Sequence, residues 1–322
     1  MYFRASSYLI LVVLVSLPAG GVDLPSDISG LMKRASSGNV EAEFLVGLAY
    51  ETGRGVKQDF VEAARWYRKA ADAGASGAQT NLGNLYSEGR GVVQDKVAAL
   101  KWYLRAASQG DPAGESNVGC FYAKGEGGVK RDYAEAARWF AKAAAQKAPR
   151  GEANLATLYM RGLGVRFNPE EGVKLYLSAA NHGNLYSQGV VAWLYEHGII
   201  LPRDMEKALK WYRAAAQAGD PRSLNNLGYF HENGIGTPRD LAQAFQYYRE
   251  AAEKGLLQAE QNLQILCSKD PNLANTEPKT AAQCAGNSSD SKTLRSGEEI
   301  TSVTEVPLDS SVPALEAGAS RP

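Results

Sequence analysis

The stretch NLGNLYSEGRGVVQDKVAALKWYLRAASQG, residues 81–110, decides the fold because six versions of its pattern follow one another along the chain. Its aromatic pair recurs at spacings of 36 residues, with a single spacing of 37, as Trp66-Tyr67, Trp102-Tyr103, Trp139-Phe140, Leu175-Tyr176, Trp211-Tyr212 and Tyr247-Tyr248. A small residue keeps the same period, at Gly47, Gly83, Gly119, Ala156, Ala192 and Gly228. A fixed period between about 20 and 50 residues is typical of a solenoid of stacked units.

Each unit predicts two helices. In the first, apolar side chains recur on one face, at Ala78, Leu82, Leu85 and Tyr86. Glycines that can take a positive φ, such as Gly89 and Gly91, end that helix. The second helix begins at a capping residue: Asp59, Asp95, Asp132, Asn168, Asp204 or Asp240. An acid or amide three residues later predicts capping boxes, at Glu62, Glu135, Glu171 and Gln243.

The pattern Asn81-Leu82-Gly83-x-x-Tyr86-x-x-Gly89-x-Gly91, followed by Ala99-x-x-Trp102-Tyr103-x-x-Ala106-Ala107, resembles the Sel-one-like repeat (SLR), a relative of the tetratricopeptide repeat. The resemblance implies an all-α fold: a right-handed α-solenoid of antiparallel helix pairs, with about six SLR units and a half-unit cap at each end. Two copies depart from the pattern, with Leu175 in place of Trp and Ile199-Ile200-Leu201 in place of the usual turn. We expect these departures to loosen the local turn geometry without breaking the period.

The chain divides into four predicted segments. Residues 1–21 resemble a signal peptide, because Arg4 precedes the apolar run at 9–17 and small residues precede a cut after Gly21. The alternative, an uncleaved anchor, has too few apolar residues to cross a core of about 30 Å. Residues 22–37 are predicted to form a linker and a capping helix, and residues 38–267 the solenoid with its C-terminal capping helix. Residues 268–322 contain no aromatic residue and are predicted to be a disordered tail. Export predicts a periplasmic or secreted protein.

Cysteine content fits an exported chain without a disulfide framework. Cys120 falls inside a repeat, whereas Cys267 and Cys284 lie close enough in sequence to pair. Both states of that pair, bridged and free, stay open at this stage. Three such dispersed cysteines do not predict a metal site.

Charge and histidine placement argue against two classes of function. Lysine plus arginine equals aspartate plus glutamate, at 35 each, so the chain lacks the net basic charge of a nucleic-acid binder. The three histidines His182, His197 and His231 form no helical metal pair, and there is no Gly-x-Ser-x-Gly nucleophile motif. We therefore predict no catalytic residue, no cofactor and no metal, and a protein that is not an enzyme.

The resemblance implies that the first helices line a concave binding surface. Taking the Gly83 column as origin, the outward stripe supplies these predicted partner-binding residues: Asn81, Asn84, Asn117, Asn154, Arg161, Trp193, His197, Asn226 and Tyr229. A row of asparagines can bind the backbone of an extended peptide, or it can belong to the repeat signature and bond the adjacent turn. Trp193 is either an interface hot spot or a satellite core residue.

These features together predict a non-catalytic, exported protein–protein interaction scaffold. Its partner would be another protein: a peptide segment, an envelope protein or a secreted effector. It would act as a periplasmic regulator or adaptor, or as an immunity protein for a secreted effector. The alternative is an envelope- or peptidoglycan-associated module that binds glycans or assists an enzyme. We predict no nucleic-acid partner, and no stable membrane insertion once the signal is removed.

Overall fold

The computed structural model describes residues 28–270 and residue 273, and this part of the chain is entirely α-helical apart from its turns. Its helices are α1 Ser29–Ser36, α2 Val40–Thr52, α3 Phe60–Asp72, α4 Ser76–Glu88, α5 Lys96–Ser108, α6 Pro112–Lys124, α7 Tyr133–Ala145, α8 Pro149–Arg161, α9 Pro169–Asn181, α10 Leu185–His197, α11 Met205–Gln217, α12 Pro221–Asn233, α13 Leu241–Glu253 and α14 Leu257–Lys269. The predicted signal peptide, most of the predicted tail and Cys284 lie outside the described residues.

The helices pack in sequence order as antiparallel pairs, which confirms the predicted all-α solenoid. The chain divides after Asn168 into two compact units, with α1–α8 in unit 1 and α9–α14 in unit 2. Even-numbered helices are the first helices of the repeats and odd-numbered helices from α3 onward the second ones. Within unit 1, α4 contacts α6 and α6 contacts α8, so the first helices of successive repeats lie side by side.

The small-residue column lets the two helices of a repeat approach closely. A Cβ atom added to Gly83 would lie 2.6 Å from the ring of Tyr103, and one added to Gly119 would lie equally close to the ring of Phe140. The aromatic partner fills the space that glycine leaves, and Trp102 beside it is only 6% exposed. The repeat therefore couples a small residue on one helix to a large one on the other.

The turns after the first helices use residues with positive φ, and the divergent fifth copy does so too. Gly89 and Gly91 take φ values of 71° and 69°, in the left-handed region. At the divergent fifth turn, Gly198 has φ 69° and Ile200 has φ 64°. The expected loosening is therefore wrong, because the turn keeps its geometry and places a β-branched residue where glycine belongs.

Five of the six predicted helix caps are confirmed, at Asp59, Asp95, Asp132, Asp204 and Asp240, but the predicted capping boxes are only half formed. Asp59 accepts hydrogen bonds from the backbone N–H groups of Val61 and Glu62, at 2.9 and 3.1 Å. The N–H of Asp59 itself donates to the carbonyl of Tyr50 at 2.9 Å. Because that donor already has a partner, the Glu62 carboxylate instead pairs with Arg65 at 3.1 Å.

Candidate functional site

The predicted asparagine ladder joins successive repeats to each other. The amide of Asn117 donates to the side-chain oxygen of Asn84 at 3.2 Å, and the hydroxyl of Tyr103 donates to the same oxygen at 2.8 Å. One repeat later, Asn154 donates to the sulfur of Cys120 at 3.6 Å. The two bonds that asparagine donates cross from one first helix to the next, so they match neither a free peptide-binding row nor a bond to the adjacent turn.

Burial separates the predicted binding residues into two groups. Asn117 is 5% exposed and Asn226 is fully buried, because the neighbouring first helix covers this part of the stripe. Asn81 is half-buried and donates to the Tyr67 hydroxyl at 3.1 Å. Arg161 is half-buried at the end of α8, in unit 1. Asn117 and Asn226 thus lie inside the seams between repeats, whereas Asn81, Asn84 and Asn154 keep part of their surface exposed.

Asn226 breaks the pattern of the ladder. Neither its amide nitrogen nor its amide oxygen has a hydrogen-bond partner, although the side chain is completely buried. The residue that stands where Asn84 and Cys120 stand in earlier repeats is Trp193, and its indole nitrogen is also buried without a partner. The inter-repeat bond is therefore absent at the position where asparagine or cysteine is replaced by tryptophan.

Trp193, His197 and Tyr229 form what we call the Trp193 patch, on the first helices α10 and α12 of unit 2. The rings of Trp193 and His197 lie 4.7 Å apart between centroids, tilted by 31°. The imidazole Nδ1 is 3.1 Å from the Trp193 carbonyl oxygen, which fixes the ring orientation. The side chain of His197 is 38% exposed, and Trp193 and Tyr229 are half-buried. The patch presents aromatic surface that the rest of the stripe lacks.

A set of buried carboxylates was not anticipated from the sequence. Each accepts a hydrogen bond from a tyrosine hydroxyl 16 residues later, in the pairs Glu51–Tyr67 at 2.6 Å, Glu196–Tyr212 at 2.8 Å and Glu232–Tyr248 at 3.0 Å. In the third repeat, where Phe140 has no hydroxyl, the equivalent of the carboxylate is Ala123. The second and fourth repeats keep the tyrosine without the carboxylate, as Tyr103 with Ser87 and Tyr176 with Met160, so the sequence carries no consistent signal for these pairs.

The three carboxylates differ in the charge that faces them. Glu51 pairs with Arg90 at 3.5 Å and Glu232 with Lys269 at 3.2 Å, and in both cases the cation comes from the next helix hairpin or cap. Glu196 has instead the Nδ1 of His197 at 3.9 Å. Burial raises the pKa of Glu196, although the Tyr212 hydroxyl, His197 and Arg203 oppose the rise. Within the described part of the chain, Glu196 is therefore the one of these three carboxylates that forms no ion pair with a lysine or an arginine.

His182 is exposed after α9, whereas His231 and Cys120 pack against neighbouring helices. His231 stacks on Tyr247 with ring centroids 5.5 Å apart, and burial lowers the pKa of its imidazole. Cys120 is buried and free. Within the described residues, no group of three or more His, Cys, Asp or Glu side chains is placed to hold a metal ion. None of these helices is long and apolar enough to span a membrane.

The Sel1 repeat family model matches the chain six times, at residues 40–74, 76–111, 112–147, 149–184, 186–220 and 221–256. The chain belongs to the Sel1 repeat family. Sel1 repeat proteins are protein-interaction scaffolds, and their repeats mediate protein–protein interaction. A search among curated proteins finds no match.

Solved structures of the family share this fold. A Sel1 repeat protein from Oxalobacter formigenes is 35% identical over 70% of this chain and 93% of its own, with a TM-score of 0.65. A protective antigen with an SLR fold from uropathogenic Escherichia coli is 34% identical over 78% of this chain, with a TM-score of 0.60. The match covers 54% of that antigen's length. An immunity protein from Pseudomonas aeruginosa is 22% identical, with a TM-score of 0.48, a likeness too distant to bear on function.

Proposed function

We propose that this Sel1 repeat protein is a non-catalytic, exported scaffold that binds a partner protein through the Trp193 patch. The observation that carries the proposal is the missing inter-repeat bond at Trp193 and Asn226. Leaving a buried amide unpaired costs about 1–3 kcal/mol. A residue that adds this cost and still leaves part of its side chain exposed is better explained by contact with another molecule than by packing.

The chemistry of the patch suits a protein partner. Tryptophan and tyrosine dominate interface hot spots because a large, rigid ring buries much apolar area at small entropic cost. His197 and the patch-facing carboxylate Glu196 supply polar groups at the rim. One ring face of Trp193 is occupied by His197, which leaves at most the other face for stacking on a sugar ring.

We assign the asparagines a different role from the one that the sequence predicted. Asn81, Asn84, Asn117 and Asn154 each make a hydrogen bond within unit 1, so they hold repeats together. Arg161 stays a candidate contact outside the patch. The partner-binding proposal therefore rests on three aromatic side chains rather than on an asparagine row.

The biological setting is also a proposal. The apolar N-terminal run supports export, and an exported scaffold without a catalytic grouping suits a periplasmic regulator or adaptor, or an immunity protein that holds a secreted effector. A peptidoglycan-associated module is the competing role. In that case the patch would bind purified glycan fragments, which calorimetric titration of the wild type beside Trp193→Ala would show.

Photo-crosslinking tests the proposal directly. A benzophenone amino acid at position 229 should give one adduct of defined mass when the protein is expressed in its native envelope. The control is the same probe at position 242, which is exposed on α13 and outside the patch. Equal adducts from both positions, or an adduct at 229 that persists when Trp193 is replaced, would exclude the patch as the binding site.

A further inference from the structure

Six exposed cations lie in matched pairs on the three second helices of unit 1. Each helix carries one pair at i and i+4, which places both charges on the same face. We call this set the basic ridge, and its members are Arg65 and Lys69 on α3, Lys101 and Arg105 on α5, and Arg138 and Lys142 on α7.

Four of these cations lie over the indole rings of the repeat, and the most distant is the Arg65 guanidinium, 5.7 Å from the centroid of Trp66. The Lys69 ammonium lies 4.3 Å from the centroid of Trp66, and the Lys142 ammonium 3.9 Å from that of Trp139. The Arg105 guanidinium lies 4.5 Å from the centroid of Trp102. A cation above an indole keeps its stem packed while its charge faces solvent, so the ridge is ordered before any ligand arrives.

The charge of the ridge is only partly neutralised. Glu62 pairs with Arg65 at 3.1 Å, and Glu135 pairs with Arg138 at 2.8 Å. Among the described residues, no carboxylate forms an ion pair with the other four ridge cations, although Asp72 is exposed at the end of α3. A positive excess therefore remains, despite a formal net charge of zero for the whole chain.

The pairing of cations is not part of the repeat signature. In unit 2 two helices keep a lysine at the first position of the pair, but none carries a cation at the second, as Glu170-Lys174-Ser178, Glu206-Lys210-Ala214 and Ala242-Gln246-Glu250 show. On α3 and α5 an exposed valine lies one helical turn before the first cation of the pair. Val61 is 61% exposed and Val97 is 47% exposed. Leu104, next to Arg105, is 36% exposed. Paired cations and exposed aliphatic side chains thus occur together on α3 and α5 of unit 1.

We propose that the basic ridge adsorbs the protein to the surface of an anionic lipid bilayer. Cations interleaved with short aliphatic side chains suit a headgroup layer, where the charges meet phosphate and the aliphatic groups enter the interface. An acidic protein surface would satisfy the cations but would give the exposed valines no matching contact. This association is peripheral, since none of the described helices could span a membrane.

Vesicle binding by the full-length chain tests the ridge. The variant K69M/R105M/K142M removes three charges but keeps aliphatic stems over the indoles. The matched control K174M/K210M/R213M removes two lysines and one arginine from exposed positions of unit 2. Both variants and the wild type share the apolar N-terminal run, so differences among them report the ridge alone. Melting curves establish that each is folded, and K101M, whose side chain covers no indole, serves as a milder second variant.

Vesicles of phosphatidylcholine with about 30% phosphatidylglycerol are the probe, beside pure phosphatidylcholine. We expect wild type and control to prefer the anionic vesicles, and the ridge variant to bind them at least about tenfold more weakly, since each cation contributes a factor of roughly five. The difference should vanish at about 500 mM salt. Equal binding by all three proteins would overturn the proposal. So would ridge-dependent binding to poly-L-glutamate without binding to vesicles, because that result would indicate an acidic protein partner.

Discussion

The side-chain amide of Asn117 donates a hydrogen bond of 3.2 Å to the side-chain oxygen of Asn84, one repeat earlier in the chain. Asn154 makes the same connection to Cys120. In unit 2 the corresponding residues are Asn226 and Trp193, and both amide atoms of Asn226 are buried without a partner. Position 193 therefore carries a residue that is poor for the seam between repeats, as binding residues often are.

Replacing Trp193 with asparagine should repair the seam and abolish binding. The introduced amide could accept from Asn226 as Asn84 accepts from Asn117, so we expect the free energy of unfolding to stay within about 1 kcal/mol of wild type or to rise. Urea denaturation measures this stability. The crosslinked adduct at position 229 should disappear in the same variant.

Trp193→Ala is the matched control, because it removes the ring but restores no bond to Asn226. It should be less stable than Trp193→Asn by about 1 kcal/mol. A loss of about 3 kcal/mol or more in Trp193→Asn would instead assign the indole to the core.

Trp102→Ala should behave as a core truncation. The ring is 6% exposed and packs in one cluster with Tyr67 and Leu82, so we expect a loss of about 3–5 kcal/mol in unfolding free energy. Chemical denaturation gives the value. A near-neutral result would show that the Trp-Tyr column is not the seam between helices.

The C-terminal limit of the folded part can be tested at Lys269. Helix α14 continues to this residue, two positions beyond the predicted limit at 267, and its ammonium lies 3.2 Å from the buried Glu232. A chain that ends at Ala285 keeps both Lys269 and Cys284 and should melt at the wild-type temperature. Lys269→Ala should lose about 1–2 kcal/mol, less than a fully buried pair because the lysine side chain is 57% exposed. A large drop in the truncated chain would mean that the tail docks.

Sequence reasoning reached the helices, the caps and the tight turns because each depends on residues close together in the chain. It failed where the answer depends on the neighbouring repeat. A helical stripe can be read from spacing, but the covering of Asn117 by the adjacent first helix follows only from the separation of the stacked helices. The bond between Tyr67 and the buried Glu51 was missed for a related reason, since a glutamate near a helix end is expected to face solvent.

Ile200 offers a stabilising substitution. Its φ of 64° is one that β-branched residues avoid, at a cost of about 1–2 kcal/mol. Ile200→Gly should therefore raise the unfolding free energy by about 1 kcal/mol once the greater freedom of glycine in the unfolded chain is allowed for. Thermal denaturation would show it. Ile199→Gly is the control, because position 199 does not have a positive φ, and it should be destabilising.

Glu196 should make stability depend on pH. Burial raises the pKa of its carboxyl group, so the folded protein holds this proton more tightly than the unfolded chain does. The unfolding free energy therefore falls as pH rises from the ordinary range of glutamate, about 4.3, through the raised value, and stays at the lower level above it. Glu196→Gln keeps an acceptor for the Tyr212 hydroxyl and removes the buried charge. The melting temperature of this variant should lie above that of wild type at pH 7 and should equal it at pH 4.

Glu232→Gln is the contrasting control, because Lys269 then loses its carboxylate, and it should be less stable than wild type at pH 7. A Glu196→Gln variant that is less stable at pH 7 would show that the charged carboxylate is what holds Tyr212.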